Sequence, residues 1–372
     1  MDDNFFQEHF TTSDKFNNIK EDSLVGPNGW LLFVACNSAI EFTKIVKEKY
    51  ENYLHVNNGQ KKSVPLIGTE EDPITRVFSD TETCPRLPIH VAGANVYVFQ
   101  CIHENLTNNT VNENIQQLLQ VISTLRAHRA QTITVVTPYS PYSRQDKPSF
   151  MKREAALASL FANQLKVAGV DIYLTYHPHT LSLYGFYEPE IKFVALSGHD
   201  LFRSVFDKLE NKEEIVVVST DAGGAKSTIH FSESLGSSYA ISSKFRREKD
   251  KSNLIGVIGD LENKKTAIIT DDETVTGNSI INTIKTLNKY HGIEQIYVGV
   301  THFKVNLKTI NKFVEAHEKY GLKELHITNT IPQKPGVINH DFIKIHGLNS
   351  IFAATINKLH YNQSVSEIFS RL

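Results

Sequence analysis

The sequence predicts an α/β fold in two halves, each a mostly parallel sheet flanked by helices. From residue 31 onward, short runs rich in Val and Ile alternate with segments of helical periodicity. Continuous apolar runs of this kind are typical of strands that helices cover on both faces. The chain has 372 residues, 40% of them hydrophobic, which is enough for two domains with complete cores.

Strands and helices are predicted to alternate along most of the chain. Gly169 and Gly292 mark two helix ends, because glycine readily adopts the left-handed backbone of a C-cap. Strands are predicted at 31–35, 96–100, 132–138, 171–176, 214–219, 266–270, 295–301 and 324–328, with a strand-like run at 239–241. Helices are predicted at 39–50, 112–128, 154–168, 226–235, 279–290 and 308–320.

The domain boundaries follow from local composition. Residues 1–28 are polar and irregular, and we expect them to form an extension outside the core. We expect the two halves to meet near 186–189, so that the domains span 29–187 and 188–344. Residues 57–73 are rich in Lys, Gly, Asn and Glu and are expected to form a surface loop.

The composition argues against several classes of protein. The formal net charge of -2 and the pI of about 6.8 provide no basic field for nucleic acid. Cys36, Cys84 and Cys101 lack metal-type spacing and favour a reducing compartment. No apolar run reaches membrane-spanning length, and the N-terminus lacks the apolar region of a signal peptide. We therefore expect a cytoplasmic protein that binds neither nucleic acid nor a membrane.

The most informative motif is a strand that runs into two adjacent carboxylates, Asp271 and Asp272. A short loop of Thr, Gly, Asn and Ser follows and leads into a helix. Unpaired N–H groups at a helix start favour an anion, and the hydroxyls of Thr276 and Ser279 add donors. The carboxylates suit sugar hydroxyls or a phosphate-bound Mg²⁺. The motif therefore indicates a ribose 5-phosphate site, and the alternative is an N-capped helix after an acidic turn.

Two further loops are candidates for the same pocket. Asp221 precedes the paired glycines Gly223 and Gly224 after a predicted strand, and such glycines let the backbone approach a ligand closely. Taken alone, this loop favours a structural turn, but together with the Asp271 loop it is expected to form a second wall of the same pocket. Lys244 and Arg246 belong to a charged run that follows the strand-like segment. Mobile cations of this kind stabilise charge on a transferred phosphoryl group, although a solvated loop is the alternative.

Two polar segments follow strands of the first half. Arg144 is able to pair with a triphosphate, and Gln145 and Asp146 are able to read the edge of a base. His177 and His179 flank a proline at another strand end, where they suit a metal or a phosphate. The sequence contains no Ser-His-Asp order, zinc spacing or Walker-type loop.

Together these segments resemble the ribose-phosphate pyrophosphokinase family from about residue 31 to residue 369. The matching segments are Phe78-Ser79-Asp80-Thr81-Glu82, Tyr142-Ser143-Arg144-Gln145-Asp146-Lys147, His179 with Gly185-Phe186-Tyr187, Asp221-Ala222-Gly223-Gly224, Lys244-Phe245-Arg246, residues 271–279, Thr301-His302, Asn329-Thr330-Ile331-Pro332 and residues 362–369.

The resemblance implies two tandem type I phosphoribosyltransferase-like domains, the first completed by the C-terminal helix at 345–372. It implies transfer of the β,γ-diphosphoryl group of Mg-ATP to the anomeric hydroxyl of ribose 5-phosphate. The products are phosphoribosyl diphosphate and AMP, with Mg²⁺ as cofactor. It also implies a homo-oligomer, a hexamer built from dimers, in which the segment Phe78 to Glu82 completes the ATP pocket of a neighbouring chain.

The resemblance also assigns roles to residues. ATP binding is assigned to Phe78, Asp80, Glu82, Arg144, Gln145, Asp146 and His179. Binding of ribose 5-phosphate is assigned to Asp221, Gly223, Gly224, Asp271, Asp272, Val275, Thr276, Gly277, Asn278 and Ser279. Metal binding is assigned to His179 and Asp221, and catalysis to Lys244 and Arg246.

The chain departs from the family pattern at several of these positions. The departures are Thr81 and Phe303 in place of Gly, His177 and Val275 in place of Asp, Phe245 in place of a basic residue and Asn278 in place of Gly. Three alternatives remain open. A phosphoribosyltransferase would consume phosphoribosyl diphosphate at the same Asp271 loop, and a non-catalytic regulatory subunit would bind a true synthetase. A plain binding module is the third, although every expected catalytic position is filled.

Overall fold

The computed structural model describes residues 24–58, 62–103, 109–149, 151–245 and 254–369. These residues form two seven-stranded sheets and a separate two-stranded ribbon, and helices pack on both faces of each sheet. The predicted α/β architecture with two sheet domains is therefore confirmed.

The first sheet has the strand order β1-β2-β6-β7-β8-β9, with β3 also paired to β2, and only β1 is antiparallel. The strands of this half are β1 (Val25–Gly26), β2 (Gly29–Ala35), β3 (Leu66–Ile67), β4 (Thr75–Val77), β5 (Thr83–Pro85), β6 (Ala94–Phe99), β7 (Thr132–Thr137), β8 (Ile172–Tyr176) and β9 (Lys192–Leu196). Strands β4 and β5 form the ribbon. The helices are α1 (Ile40–Asn58), α2 (Val111–Ala127), α3 (Leu157–Ala168) and α4 (Tyr184–Tyr187).

The second sheet has the order β12-β11-β10-β13-β14-β15-β16, and only the pair of β11 and β12 is antiparallel. Its strands are β10 (Ile215–Ser219), β11 (Ser238–Phe245), β12 (Leu254–Gly259), β13 (Thr266–Thr274), β14 (Gln295–Phe303), β15 (Leu322–Thr328) and β16 (Ile343–His346). The helices are α5 (His199–Phe206), α6 (Ala225–Leu235), α7 (Asn278–His291), α8 (Leu307–Lys319), α9 (Pro335–Ile338), α10 (Asn349–His360) and α11 (Ser366–Phe369).

Local sequence explains several helix ends. The side chain of Thr110 accepts a hydrogen bond from the backbone of Glu113, and the Glu113 carboxylate accepts one from Thr110, which forms a capping box at the start of α2. Helices α3 and α7 end at Gly169 and Gly292, whose φ angles are 98° and 67°. Both C-cap predictions are confirmed, because glycine has no Cβ to oppose the left-handed backbone.

The C-terminal helix α10 packs on the first domain. The ring of Phe352 meets the ring of Phe42 edge-on at 5.4 Å, and the Tyr97 hydroxyl donates to the backbone oxygen of Ile356 at 3.3 Å. These contacts fill one face of the first sheet between α1 and α10, whereas α2 and α3 cover the other face. The last described part of the chain therefore returns to the domain in which the chain begins.

Several predicted boundaries differ from the structure. Strand Lys192–Leu196 pairs with β8, so the chain leaves the first sheet later than the expected boundary at 187/188. Val25–Gly26 pairs with β2, and the expected extension 1–28 thus reaches into the sheet, while residues 1–23 lie outside the described residues. Leu66–Ile67 adds a short strand within the expected surface loop, because its apolar side chains have room against β2.

Candidate active site

A cavity of about 1180 Å³ lies between the two domains. Its walls follow the carboxyl ends of β7, β8 and β9 in the first sheet and of β10 and β13 in the second. Ligands usually bind at these ends of open α/β sheets, because loop backbone and side chains converge there. The predicted site residues that line it are Arg144, Asp146, His179, Asp221, Gly223, Gly224, Asp271, Asp272, Val275, Thr276, Asn278 and Ser279.

Strand β13 continues beyond the position at which the sequence predicted its end. The strand was expected to end at residue 270, yet the pairing of Glu273 with His302 and of Thr274 with Phe303 extends it to Thr274. Asp271 and Asp272 therefore lie within the strand rather than in a loop. Because successive side chains of a strand point to opposite faces, the two carboxylates have different neighbours.

Asp272 reaches across the cavity to the first domain. Its Oδ2 lies 2.6 Å from Nδ1 of His179, which follows β8. The hydrogen bond with Asp272 raises the pKa of His179. Burial by itself would raise the pKa of Asp272, but the hydrogen bond and charge of His179 outweigh burial and lower it. The pair is therefore an ion pair that joins the loop after β8 of the first domain to strand β13 of the second.

Asp271 has the opposite environment. It accepts a hydrogen bond from the Thr220 hydroxyl at 3.2 Å, and no cation contacts it in the described part of the chain. Burial, followed by the negative charge of Asp272, raises the pKa of Asp271 well above its usual range. The site thus holds a carboxylate that a bound cation or a sugar hydroxyl would stabilise in its charged form.

The Asp221 loop is built around its two glycines. The Asp221 carboxylate accepts the backbone N–H of Gly224 at 3.1 Å, and its backbone oxygen accepts the Ser219 hydroxyl at 2.6 Å. A Cβ on Gly223 would lie 3.1 Å from the Asp221 carboxylate, and one on Gly224 would lie 2.7 Å from the Ser219 hydroxyl. The loop therefore turns tightly only because both residues lack a side chain.

The loop between β13 and α7 lines the cavity on the side of the second domain. Gly277, with φ of 66°, is the N-cap of α7, and a Cβ there would lie 2.7 Å from the Phe313 ring. Its N–H is hydrogen-bonded to the Thr274 hydroxyl at 3.2 Å. Lys312 of α8 donates to the Asn278 side chain at 2.8 Å. Gly277 thus sets the shape of the loop without being among the described residues that line the cavity. Gln145 is not among these lining residues either.

His177 adopts a left-handed backbone with φ of 43°, which costs on the order of 1–2 kcal/mol for a residue with a side chain. Its Nδ1 lies 2.6 Å from the Thr301 hydroxyl, and its backbone oxygen accepts His302 Nε2 at 3.0 Å. Burial, and then the neighbouring His199, lower the pKa of His177 to about 3. His177 is therefore a neutral side chain, in contrast to the Asp that family members have here.

Sequence reasoning missed a buried group of charges at the cavity floor. Glu273 lies 2.6 Å from Lys304 Nζ and 2.9 Å from Arg144 Nε, and Lys304 also contacts Tyr139. The sequence feature that could have indicated this group is Glu273 itself, a third acidic residue directly after Asp272. Its partners follow other strands and were not predictable from local pattern.

The remaining predicted site residues are not among the described residues that line the cavity. Phe78, Asp80 and Glu82 form the exposed tip of the ribbon, away from the cavity of their own chain, and Thr81 has φ of 73°. The backbone of Lys244 belongs to β11, opposite Ile255 of β12. Arg246 lies outside the described residues.

None of the described helices is long and apolar enough to cross a membrane. In addition, no three or more His, Cys, Asp or Glu side chains among the described residues form a group able to hold a metal ion by themselves.

Comparisons with known proteins agree with this architecture. Residues 35–169 match the family described as the N-terminal domain of ribose phosphate pyrophosphokinase, and residues 210–370 match the phosphoribosyl synthetase-associated domain. A solved structure of phosphoribosylpyrophosphate synthetase from Mycobacterium smegmatis is similar, with a TM-score of 0.75 and 24% identity. The alignment covers 89% of this chain and 99% of that one.

Curated relatives are similar over most of their length. The chain is 32% identical over 293 residues to a ribose-phosphate pyrophosphokinase of Clostridium acetobutylicum, which covers 78% of this chain and 87% of the relative. It is 30% identical over 331 residues to one of Caldanaerobacter subterraneus, with 87% and 99% covered. With both domain matches in chain order and relatives aligned almost end to end, the chain belongs to the ribose-phosphate pyrophosphokinase family.

Proposed function

We propose that this chain transfers the β,γ-diphosphoryl group of Mg-ATP to the anomeric hydroxyl of ribose 5-phosphate. The products are phosphoribosyl diphosphate and AMP. The observation that carries the proposal is a single cavity that joins Arg144 and His179 of the first domain to Asp271 and Asp272 of the second. One space of about 1180 Å³ has room for a nucleotide and a sugar phosphate side by side.

Ribose 5-phosphate is placed on the second sheet. The loop Val275 to Ser279 holds the 5-phosphate through backbone and hydroxyl donors at the start of α7. Asp271 and Asp272 hold the ribose hydroxyls at the end of β13. Asp221, Gly223 and Gly224 line the side on which the diphosphate is formed, because their loop leaves the adjacent strand β10.

ATP is placed on the first sheet. Arg144 faces the phosphates, and Gln145 and Asp146 belong to the same segment. His179 contacts the nucleotide next to Asp272. The Asp272 carboxylate balances the positive charge of His179. Phe78, Asp80 and Glu82 bind ATP in a neighbouring chain, since their ribbon lies away from the cavity of its own chain.

The donor set fits Mg²⁺. Asp221, Asp271 and Asp272 supply the hard oxygen ligands that Mg²⁺ prefers, and a bound cation would favour the charged form of Asp271, whose pKa burial raises. Of the two residues that the resemblance assigns to the metal, Asp221 supplies such an oxygen, whereas His179 would have to leave its ion pair with Asp272 to act as a ligand. When bound, the ion neutralises charge on the phosphate oxygens and supplies Lewis acidity.

The proposed reaction is an in-line displacement. The anomeric oxygen attacks the β-phosphorus and loses its proton, while the bond from that phosphorus to the α,β-bridging oxygen breaks and AMP leaves. Alignment and charge neutralisation carry such a reaction. The protein holds the two substrates in line, and Lys244 and Arg246 close over the transferred group.

One assay tests the proposal directly. Purified protein is incubated with Mg-ATP and ribose 5-phosphate, and AMP and phosphoribosyl diphosphate are measured together. We expect both in equal amounts and none without the sugar phosphate. Consumption of added phosphoribosyl diphosphate with a base would instead identify a phosphoribosyltransferase, and absence of both activities would indicate a non-catalytic subunit.

A further inference from the structure

Glu273 is a buried carboxylate held between two cations from different parts of the fold. Its side chain is 2% exposed, and its two oxygens lie 2.6 Å from Lys304 Nζ and 2.9 Å from Arg144 Nε. Lys304 follows β14 of the second sheet, whereas Arg144 follows β7 of the first. A carboxylate buried to this extent is strongly unfavourable unless it is paired, so these contacts cannot be incidental.

Lys304 already neutralises Glu273 from within the fold. Its side chain is 9% exposed, and Nζ donates to the Tyr139 hydroxyl at 3.0 Å. Nζ also lies 4.2 Å from the centre of the Tyr139 ring, and that ring meets His302 edge-on at 5.0 Å. The contacts with Tyr139 hold the Lys304 side chain in place. Lys304 in turn holds the Glu273 carboxylate in place.

Arg144 is therefore not needed to neutralise Glu273. Its side chain is 60% exposed and lines the cavity, and its Nε lies 2.9 Å from Glu273 Oε1. Within the part of the chain that the structure describes, neither Nη1 nor Nη2 makes a hydrogen bond. The contact is an ion pair rather than an aligned hydrogen bond, since Glu273 Oε1 has no hydrogen-bond partner there.

A guanidinium group held in this manner presents its other edge to a ligand. The group is planar and rigid, so the attraction between Glu273 and Nε limits where both terminal nitrogens lie, although no aligned hydrogen bond fixes the plane. Those nitrogens form the fork that binds phosphate oxygens in pairs. Fixing a flexible side chain before the ligand arrives raises affinity, because less side-chain entropy is lost on binding.

We propose that Glu273, fixed by Lys304, is a positioning residue that orients Arg144 toward the phosphates of the nucleotide. The inference rests on the proposed function only in taking the ligand at Arg144 to be ATP. It gives Glu273 and Lys304 a role in nucleotide affinity although neither touches the nucleotide. It also connects the strand that carries Asp271 and Asp272 to the nucleotide side of the cavity.

The first test is Glu273→Gln, which keeps the shape of the side chain and removes its charge. We expect the ATP KM and the ATP Kd from calorimetry to rise about tenfold, while kcat and the KM for ribose 5-phosphate change less than about twofold. The matched control is Glu214→Gln, which breaks a 2.6 Å ion pair with Lys265 on the protein surface. The control should leave both KM values unchanged.

A second variant separates positioning from folding, because Glu273→Gln leaves Lys304 as an unpaired buried cation. In Glu273→Gln/Lys304→Met both buried charges are absent, and the thermal stability lost in the single variant should return. We expect ATP affinity to remain about tenfold weaker in this double variant. Recovery of both stability and ATP affinity would show that Glu273 has a structural role only.

A double-mutant cycle with Arg144→Ala provides the final criterion. If Glu273 acts through Arg144, Glu273→Gln should weaken ATP binding in the wild-type background and have no further effect in Arg144→Ala. Equal weakening in both backgrounds would overturn the inference. Calorimetry with ATP alone reports on Arg144 even when no AMP is formed, so this inference and the proposed function fail separately.

Discussion

At the scale of single residues, the two adjacent carboxylates of β13 are in contrasting electrostatic environments. Asp272 has a cationic partner in His179 across the cavity, whereas Asp271 has a raised pKa because of burial and the charge of Asp272. An ion pair at one carboxylate and a raised pKa at the next distinguish the cavity from an ordinary solvated loop. Perturbed groups of this kind concentrate where ligands bind.

The first prediction concerns these two carboxylates. Asp271→Asn/Asp272→Asn should weaken binding of ribose 5-phosphate on the order of a hundredfold or more, since two charged hydrogen-bond acceptors are lost. The fold should persist, because both side chains line the cavity and neither belongs to a hydrophobic core. Calorimetry with ribose 5-phosphate and circular dichroism measure the two outcomes. Glu213→Gln/Glu214→Gln, a similar acidic pair before β10, is the control, and unchanged affinity in the Asp variant would refute the assignment.

The second prediction concerns pH and His302. Burial lowers the pKa of His302 to about 4, below the usual value of about 6.5 in the unfolded chain. Its contribution to stability is therefore present above pH 6.5 and is lost as the pH falls toward 4, by about 3 kcal/mol in total. His302→Gln should show a flatter decline over this range.

Urea unfolding at pH 4 to 8 measures the difference between wild type and His302→Gln. The exposed residue His128, changed to Gln, serves as the matched control. A wild-type free energy of unfolding that rises on acidification through this range, relative to His302→Gln, would contradict the sign of the effect.

At the scale of elements, register determines which loops form the site. The pairing of Ser219 with Ile241 places Lys244 three residues past the end of β10, at the edge of the sheet from which the Asp221 loop leaves. Strand β12 then returns antiparallel beside β11. Lys244 thus belongs to the antiparallel hairpin of β11 and β12, and residues 246–253 lie outside the described part of the chain.

The third prediction concerns this hairpin. Lys244→Ala should lower kcat by about 10² to 10³, the usual effect of removing a charge that stabilises a transition state, with ribose 5-phosphate affinity almost unchanged. Steady-state kinetics and calorimetry separate the two effects. Lys265→Ala, at the opposite end of the same sheet, is the control. Wild-type turnover in Lys244→Ala would exclude the hairpin from catalysis.

At the scale of the whole molecule, the described chain contains one composite cavity and one ribbon that does not reach it. The ribbon exposes Phe78 at its tip and carries Asp80 and Glu82 beside it. If these residues bind ATP as proposed, the pocket that they complete belongs to a second chain, as closed symmetric assemblies provide. A homo-oligomer, with a hexamer built from dimers as the expected form, follows from the proposed role of this ribbon.

The fourth prediction tests the shared site by mixing two inactive variants. One carries Phe78→Ala and Glu82→Ala, and the other carries Lys244→Ala. If neighbouring chains share sites, hybrids should regain part of the wild-type activity, because some composite sites contain no substitution. Each variant reassembled alone is the control. An active protein that sediments only as a monomer would rule out shared sites.

Much of the architecture was predictable from local pattern. Strand and helix alternation follows from apolar periodicity, and the C-caps at Gly169 and Gly292 follow from backbone sterics that depend on a single residue. The Asp271 and Asp272 motif was recognisable for the same reason, since strand, carboxylates and loop are contiguous. Strand Lys192–Leu196 was missed, because its assignment to the first sheet depends on pairing with β8 rather than on its own composition.

What only the tertiary structure decided is which distant residues meet. Asp272 and His179 are 93 positions apart, and the two residues closest to Glu273 come from loops after β7 and β14. Electrostatic partners depend on strand register and on the packing of one domain against the other, and neither is encoded in a local window. The sequence by itself determined the kinds of elements and the chemical groups at their ends. Long-range packing determined the charge state of each group and the direction in which it faces, because burial and neighbouring charges exist only once the chain has folded.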